Sequence, residues 1–391
     1  MKYKWNHYYS LLQKILSLAG QWPYQERRTR LFRVGLITVA IFSLTVPQVG
    51  KFIQCNGDVR CIMLIVPTGF AMLIILVKLY TCHLNNSKIK SLTDHLRSDW
   101  EKLESAEEYE IMKTYAANSK LFCSAFCLYM YISAGMFVSI SLVPHIMNVV
   151  LPLNESWPIF MPYEAYYFVD IEKYFFYIFI HVFVSIEIGM TVTIAHDSMI
   201  VVYMEHACSI FAVAGFRFQT LSRNVRDDAI SITSPDDVYY QKIAISVYAH
   251  WRALRFAELL ESTFYVTFAV QILIVTIAMS ITLLQIVLRL DEVLEAMRYT
   301  LFVIVQVVHL FYFSMQGQRL IDHSVQMRDK IYNSSWYNIP AKSQRLLLYV
   351  MRRSMQPNFL SAGKIYIFSL KSFTTVVQSS VSYFTVLASF Q

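Results

Sequence analysis

Residues able to do chemistry gather at the end of the chain. In the stretch SLKSFTTVVQSSVSYFTVLASFQ, Thr375, Ser379, Ser382, Val386 and Ser389 recur at steps of 4, 3, 4 and 3. That spacing sets four hydroxyls and one valine on one face of a helix. Val376, Val377, Val381, Phe384 and Leu387 cover the remainder. A hydroxyl stripe lets apolar helices approach closely. It can equally line water: symmetric copies of this face would form a pore with a dry ring of Val386 and Phe390 narrowing its outer end. The residues alone leave both readings open.

A second chemical feature is Glu187, in the middle of another apolar run. A carboxylate at that depth costs a few kcal/mol unless it is solvated or paired. It is either a neutral, hydrogen-bonded acid in a packed bundle or a wall of a water-filled cavity. His145 and His309 read as packed side chains rather than metal ligands. The sequence contains no GxSxG, HExxH, CxxC or Gly-rich phosphate loop, so no hydrolytic, redox or metal chemistry and no cofactor is expected. Cys82, Cys123, Cys127 and Cys208 lie in or beside apolar stretches, as small hydrophobes do. Cys55 and Cys61 flank a short loop compatible with a local disulfide.

The elements that position these residues are membrane spans. Of the 391 residues, 56% are hydrophobic and 16% charged, against about 25% charged in a soluble domain, and mean hydropathy is +0.42. Such a chain cannot cover a soluble surface, which excludes a cytoplasmic enzyme, a disordered chain and a disulfide-stapled secreted module. Seven runs are long enough to cross a bilayer: 32–53, 62–84, 121–147, 174–203, 262–288, 299–318 and 367–390. The fold class is an all-α membrane protein with seven transmembrane helices. Residues 8–20 are apolar but too short to span, and no cleavable signal pattern precedes them.

Orientation follows from Lys and Arg. Seven precede the first span, and the second, fourth and sixth connections hold seven, six and nine. The alternate connections hold two, one and two, and the C-terminus none. The N-terminus is therefore expected in the cytoplasm and the C-terminus outside. The net charge of +7 reflects this orientation, not nucleic-acid binding. Asn154 is the single glycosylation sequon expected outside. A cytoplasmic N-terminus excludes a G-protein-coupled receptor, as does the lack of an Asp/Glu-Arg-Tyr or Asn-Pro-x-x-Tyr motif.

The inner connections carry helices. Ile89, Leu92, Leu96, Trp100 and Leu103 form an apolar stripe that continues span two. Ser234-Pro235-Asp236-Asp237 is a helix start, followed by Ile243, Val247, Trp251 and Leu254 running into span five. Pro340 opens another helix, with Leu346, Leu347, Val350 and Met351 on one side and Lys342, Arg345, Arg352 and Arg353 on the other. Pro357 and Gly363 end it. These faces either pack within the subunit or form a platform where subunits meet. The chain divides into an N-terminal segment (1–31), six spans with inner extensions (32–318), a segment with an inner helix (319–366) and a last span (367–391), which the resemblance below makes the anchor and the pore lining.

The stretch Ile331-Tyr332-Asn333-Ser334-Ser335-Trp336-Tyr337 with Pro340, then Arg352-Arg353-Ser354, Pro357 and Ala362-Gly363-Lys364, resembles the block before the last helix of insect odorant receptors. Ser382-Tyr383-Phe384-Thr385-Val386-Leu387 is similar to that family's C-terminal signature. Asp197 and His206 with Cys208 sit where many members carry Asp and His-x-Cys. Gustatory receptors end in Thr-Tyr-x5-Gln-Phe, and here Ser382 and Ser389 replace the Thr and Gln. The short segment from Arg217 to Asp237 lacks the long insertion of the co-receptor, Orco.

The resemblance implies a tuning subunit that assembles with Orco into a tetrameric, odorant-gated, non-selective cation channel passing monovalent and divalent cations. It implies a plasma-membrane location in dendrites of olfactory neurons, cytoplasmic helices that anchor the tetramer, and a last helix that lines the pore. Ser379 and Ser382 belong to that lining, and Val386, Ser389 and Phe390 match the gate and outer pore. It further implies that a volatile binds in the outer halves of spans two, three, four and six. Candidates there are Phe70, Leu73 and Ile74; Tyr131, Gly135 and Val138; Tyr177, Ile178 and His181; and Tyr299, Phe302 and Gln306. Tyr177 and His181, one turn apart with polar tips, stand out among them. Tyr163, Tyr166 and Tyr167 read instead as an interfacial belt. A gustatory-type homotetrameric channel is the nearer alternative, and a membrane transporter the alternative from another class.

Overall fold

A computed structural model describes residues 2–150, 160–221 and 235–389. Asn154 and Phe390 lie outside the described residues. The chain is a helical bundle: α1 (Lys2–Leu18), α2 (Arg27–Gln54), α3 (Val59–Leu84), α4 (Asn86–Glu101), α5 (Ala106–Ser139), α6 (Val143–Val150), α7 (Ile171–Gln219), α8 (Pro235–Leu288), α9 (Val293–Tyr332), α10 (Ala341–Ser354), a hairpin of β1 (Ser361–Ala362) and β2 (Tyr366–Ile367), and α11 (Leu370–Ser389). Six helices, α2, α3, α5 with α6, α7, α8 and α9, are long and apolar enough to cross a membrane. The seventh, α11, has 20 residues, about the 30 Å that a bilayer core requires. Its hydroxyls lower its hydropathy below that of the others. Inner and outer below follow the orientation expected from Lys and Arg.

The helices start where local chemistry says they should. The Asp58, Ser105 and Asp170 side chains accept from backbone N–H groups of the first turns of α3, α5 and α7, each satisfying a donor that a helix start leaves open. Pro235 opens α8, which runs unbroken through the inner stripe into span five. α4 continues α3 after a break at Asn85, and buries Ile89, Leu92 and Leu96. α1 does not lie free: Tyr9, Leu12 and Leu16 are buried, and the helix packs against α5 and α7. Cys55 and Cys61 form a disulfide between α2 and α3, on the side where an oxidising compartment suits it.

α7 is the axis of the bundle. From Val192 to Gly215 every residue is buried, with α5, α8 and α9 packed around it. Its inner half makes a ladder of polar side-chain pairs. Glu205 pairs with Arg319, His206 with Asp99 at 3.0 Å, and Arg217 Nε with Glu108 at 2.7 Å. Asp99 also holds Arg252. These pairs tie α4, α5, α8 and α9 to α7.

The hairpin between α10 and α11 was not legible as such, although Ala-Gly-Lys is its signal. Gly363 and Lys364 both take positive φ (60° and 63°) in the connection of 363–365 between the paired Ala362 and Tyr366, and the Ile365 N–H closes the turn on the Ala362 carbonyl at 3.2 Å. A side chain at Gly317 would stand 2.4 Å from the Phe368 carbonyl, so only glycine lets α9 touch the strand end here. The Gly363 N–H donates to the Tyr265 carbonyl at 3.0 Å, fastening the hairpin to α8.

The inner part of α8 carries a pH-sensitive residue. His250 on α8 is buried, and burial, with Arg353 nearby, pushes its pKa down to about 4. A base with a depressed pKa destabilises the fold where the unfolded chain would bind a proton. Stability of the solubilised protein is therefore expected to be full above pH ~6.5. It should decline as pH falls from there toward about 4, by about 3 kcal/mol in all. Thermal melts across this range should show the slope, and His250→Asn should flatten it.

Candidate functional site

Residues from α3, α5, α7 and α9 enclose an apolar cavity of about 90 Å³. Thr68, Ala71, Met72 and Ile75 come from α3; Met130, Ser133, Ala134 and Phe137 from α5; Ile186 and Met190 from α7; Leu301, Phe302 and Val305 from α9. Tyr163, from the segment before α7, completes the wall. Each helix contributes residues at steps of 3 or 4, so each turns one face to the cavity. Polar atoms are few. Thr68 donates to the Ile65 carbonyl (3.0 Å) and accepts from Gln48 (3.1 Å). The Tyr163 hydroxyl reaches the Leu44 carbonyl (3.3 Å) and Tyr167 (2.8 Å). Such a space favours a small apolar molecule, held by shape and burial rather than by charge.

These four helices are the ones expected, but the faces differ. Of the expected residues, only Phe302 lines the cavity. Leu73 is exposed, and Phe70 and Ile74 stay half-buried on α3 off the lining. Tyr131 bonds Thr191 at 2.9 Å. Gly135 faces Glu187, whose carboxyl lies 3.8 Å from where a Cβ would stand. Val138 and Ile178 are buried in the core. Tyr177 points away from the bundle, 75% exposed, so it does not act with His181. His181 faces α2 instead, 2.9 Å from Ser43. Tyr299 is buried against Arg298, and the Gln306 amide is buried off the lining. Tyr163 is buried rather than interfacial, a correction its two hydrogen bonds explain.

Directly inward of the cavity lies a polar cluster. Lys78, one turn below Ile75, donates to Asp197 at 2.7 Å. His309, one turn below Val305, stands 2.7 Å from the same oxygen, and His196 2.9 Å from the other. Gln271 of α8 reaches the second nitrogen of His309 at 3.3 Å, which fits a ring that donates to Asp197 through Nε2 and accepts through Nδ1. Lys78 and Asp197 are almost fully buried. Lys78 is therefore not one of the inner-loop cations counted for orientation. The margin of that count survives its loss. His309 is packed and hydrogen-bonded, and His145 stacks on Phe175 at 4.1 Å. Among the described residues no group of three or more His, Cys, Asp or Glu could hold a metal ion.

α11 packs on α8 through Val376 and Ser380, its two buried residues. Ser380 bonds the Val376 carbonyl of its own turn at 2.9 Å. Thr375, Ser382, Val386 and Ser389 lie on the exposed side, and Ser379 at its margin. The exposed hydroxyls donate back to their own helix: Ser382 to Gln378 (2.9 Å), Ser389 to Val386 (2.7 Å) and Thr375 to Lys371 (3.2 Å). With the protons so spent, the oxygens present lone pairs outward.

Membrane-length helices, four of which line an apolar cavity, define a polytopic membrane protein. The model of the 7tm Odorant receptor family matches residues 61–381, and the chain belongs to that family. It is similar to Odorant receptor 13a of Drosophila melanogaster, 22% identical over 96% of this chain and 93% of that one. A shorter match joins it to Putative odorant receptor 85d of the same fly, 29% identical over 22% of this chain. The chain covers only 21% of that relative's length, and less than two thirds of two other fly receptors it matches. The solved olfactory receptor OR5 from Machilis hrabei in complex with eugenol shares the fold, with a TM-score of 0.79 at 14% identity over 100% of this chain and 99% of that one.

Proposed function

We propose that this chain is the odorant-binding subunit of a heteromeric, odorant-gated, non-selective cation channel in the plasma membrane, assembled with Orco. The observation that carries the reading is the apolar cavity between α3, α5, α7 and α9 in an odorant-receptor chain. A receptor of the same fold holds eugenol, which supports a small volatile as ligand. Met72, Met130, Ser133, Ile186 and Phe302 are the contacts assigned to it, in place of the more peripheral Phe70, Tyr131 and Tyr177. Ser133 and Thr68 would orient one polar group of the ligand.

The pore reading rests on α11. Its free face needs a partner, and its outward lone pairs attract cations and not anions. Copies of that face around an axis would set Ser379, Ser382 and Ser389 along a wet path, with Val386 as the dry constriction. An odorant opens the channel only if it binds the open arrangement more tightly than the closed one.

A panel of aromatic and heteroaromatic volatiles applied to oocytes tests this. Odorant-evoked single-channel steps should appear only when the chain and Orco are expressed together. Conductance from this chain alone would favour a homotetramer, and no conductance with any volatile would favour a transporter. Val386→Ala should raise the current without odorant roughly severalfold, because each copy of this chain then places a smaller side chain in the dry constriction. Unchanged basal current at normal surface density would remove Val386 from the gate.

A further inference from the structure

The segment just before α7 crosses the outer mouth of the cavity and is pinned at both sides. Toward α2, the Tyr166 N–H donates to the Pro47 carbonyl at 2.8 Å, and Tyr163 reaches the Leu44 carbonyl. Toward α9 the pin is a single side chain. Arg298 Nη1 donates to the Met161 carbonyl at 2.7 Å and to the Pro162 carbonyl at 3.1 Å. Only 2% of Arg298 is exposed. Its guanidinium lies 5.0 Å from the Tyr299 ring and 5.5 Å from the Phe160 ring, with a Glu295 oxygen 3.8 Å away.

We propose that Arg298 is a positioning residue for odorant recognition: by holding the Met161 and Pro162 carbonyls, it fixes Tyr163 as the outer wall of the cavity. Two observations join at this residue. Leu301 and Phe302, three and four positions on, line the cavity on the same helix face. Tyr163, the next residue after the two held carbonyls, lines it from the opposite side of the mouth. One guanidinium thus sets the distance between the α9 wall and the roof. A charge-assisted bond inside a protein is shorter and stronger than a neutral one, so the roof is held firmly here by a buried cation, while its charged contact toward α2, Lys51 with Glu164 at 3.7 Å, is partly exposed. Its loss frees a volatile to leave through the mouth and does not touch the pore. The inference rests on the cavity being the odorant site.

The test uses the full chain co-expressed with Orco and the activating volatile found in the panel. Arg298→Gln should raise the half-maximal concentration about tenfold, which about 1.4 kcal/mol of lost affinity would give, and should speed the decay of current on washout. The saturating current per receptor at the surface should hold. Arg298→Lys should recover part of the shift, because both bonds leave one nitrogen and an ammonium supplies donors there. Tyr163→Ala should shift the same parameters, and the double variant should be no worse than the stronger single one. An unshifted concentration–response in Arg298→Gln overturns the proposal, and so does a double variant whose shift is the product of the two. If Arg298→Gln fails to reach the surface, the comparison of Arg298→Lys with wild type decides, with an unshifted half-maximal concentration and washout counting against. Ala134→Phe, which fills the cavity itself, separates the two levels. If it leaves the response intact, the cavity reading fails; if it abolishes the response while Arg298→Gln is silent, only the role of Arg298 falls.

Discussion

Lys78→Met is expected to be among the most damaging single substitutions in the chain. It leaves the Asp197 carboxylate fully buried at bilayer depth with only histidine partners. Removing one member of a buried pair costs about 3–5 kcal/mol, and an unpaired charge near mid-membrane costs a similar amount. Receptor recovered from membranes should fall severalfold, and its melting temperature should drop by several degrees. Asp197→Asn alone should do the same from the other side, stranding the Lys78 ammonium. Lys78→Met with Asp197→Asn should recover much of the loss, since no uncompensated charge is then buried. A coupling of about 2 kcal/mol or more in this double-mutant cycle is the expected result, and strict additivity would show that the pair is incidental. The cluster also has a functional aspect. It joins three cavity helices to α8 through Gln271, and α8 packs on α11. A double variant that reaches the surface should therefore show altered gating by odorant, with basal current measured alongside.

The second large effect belongs to the cavity. Ala134 is 7% exposed and faces a space of about 90 Å³, too little to hold both an added aromatic ring and a ligand. Ala134→Phe should raise the half-maximal odorant concentration at least ~100-fold, the equivalent of about 3 kcal/mol, or abolish the response. Overpacking itself costs about 1–3 kcal/mol, so surface density must be measured with it. Ser133→Ala, which removes the hydroxyl and adds no bulk, separates shape from polarity. It should weaken ligands that carry a hydrogen-bonding oxygen by about tenfold and leave hydrocarbons unaffected.

Much of the architecture was legible because it depends on local pattern. Runs of about twenty apolar residues marked the spans, Pro235 and Pro340 marked helix starts, and the 3–4 spacing of Ile89, Leu92 and Leu96 marked α4. The candidate site was half legible. The helices that line the cavity are those the family resemblance implied, but the rotation of each helix is set by packing. Phe70, Leu73 and Ile74 lie in the outer half of span two, whereas the cavity opens beside Ala71, Ser133 and Ala134. A cavity forms where side chains are small, so aromatic residues mark where space is filled. Lys78 misled for a related reason. A lysine near the end of an apolar run looks like the start of a loop, and the partner that keeps it inside, Asp197, is 119 positions away. Arg298 was counted as an outer-loop charge, and nothing near it in sequence signals the carbonyls it holds.

A structure of the assembled receptor with an activating volatile bound tests the odorant site most directly. Ligand density is expected within contact of Met72, Met130, Ser133 and Phe302, under the Tyr163 roof, with the α11 helices surrounding one axis. Ligand density in the groove that α8 forms with Tyr383 and Val386, with the cavity between α3, α5, α7 and α9 empty, would contradict it.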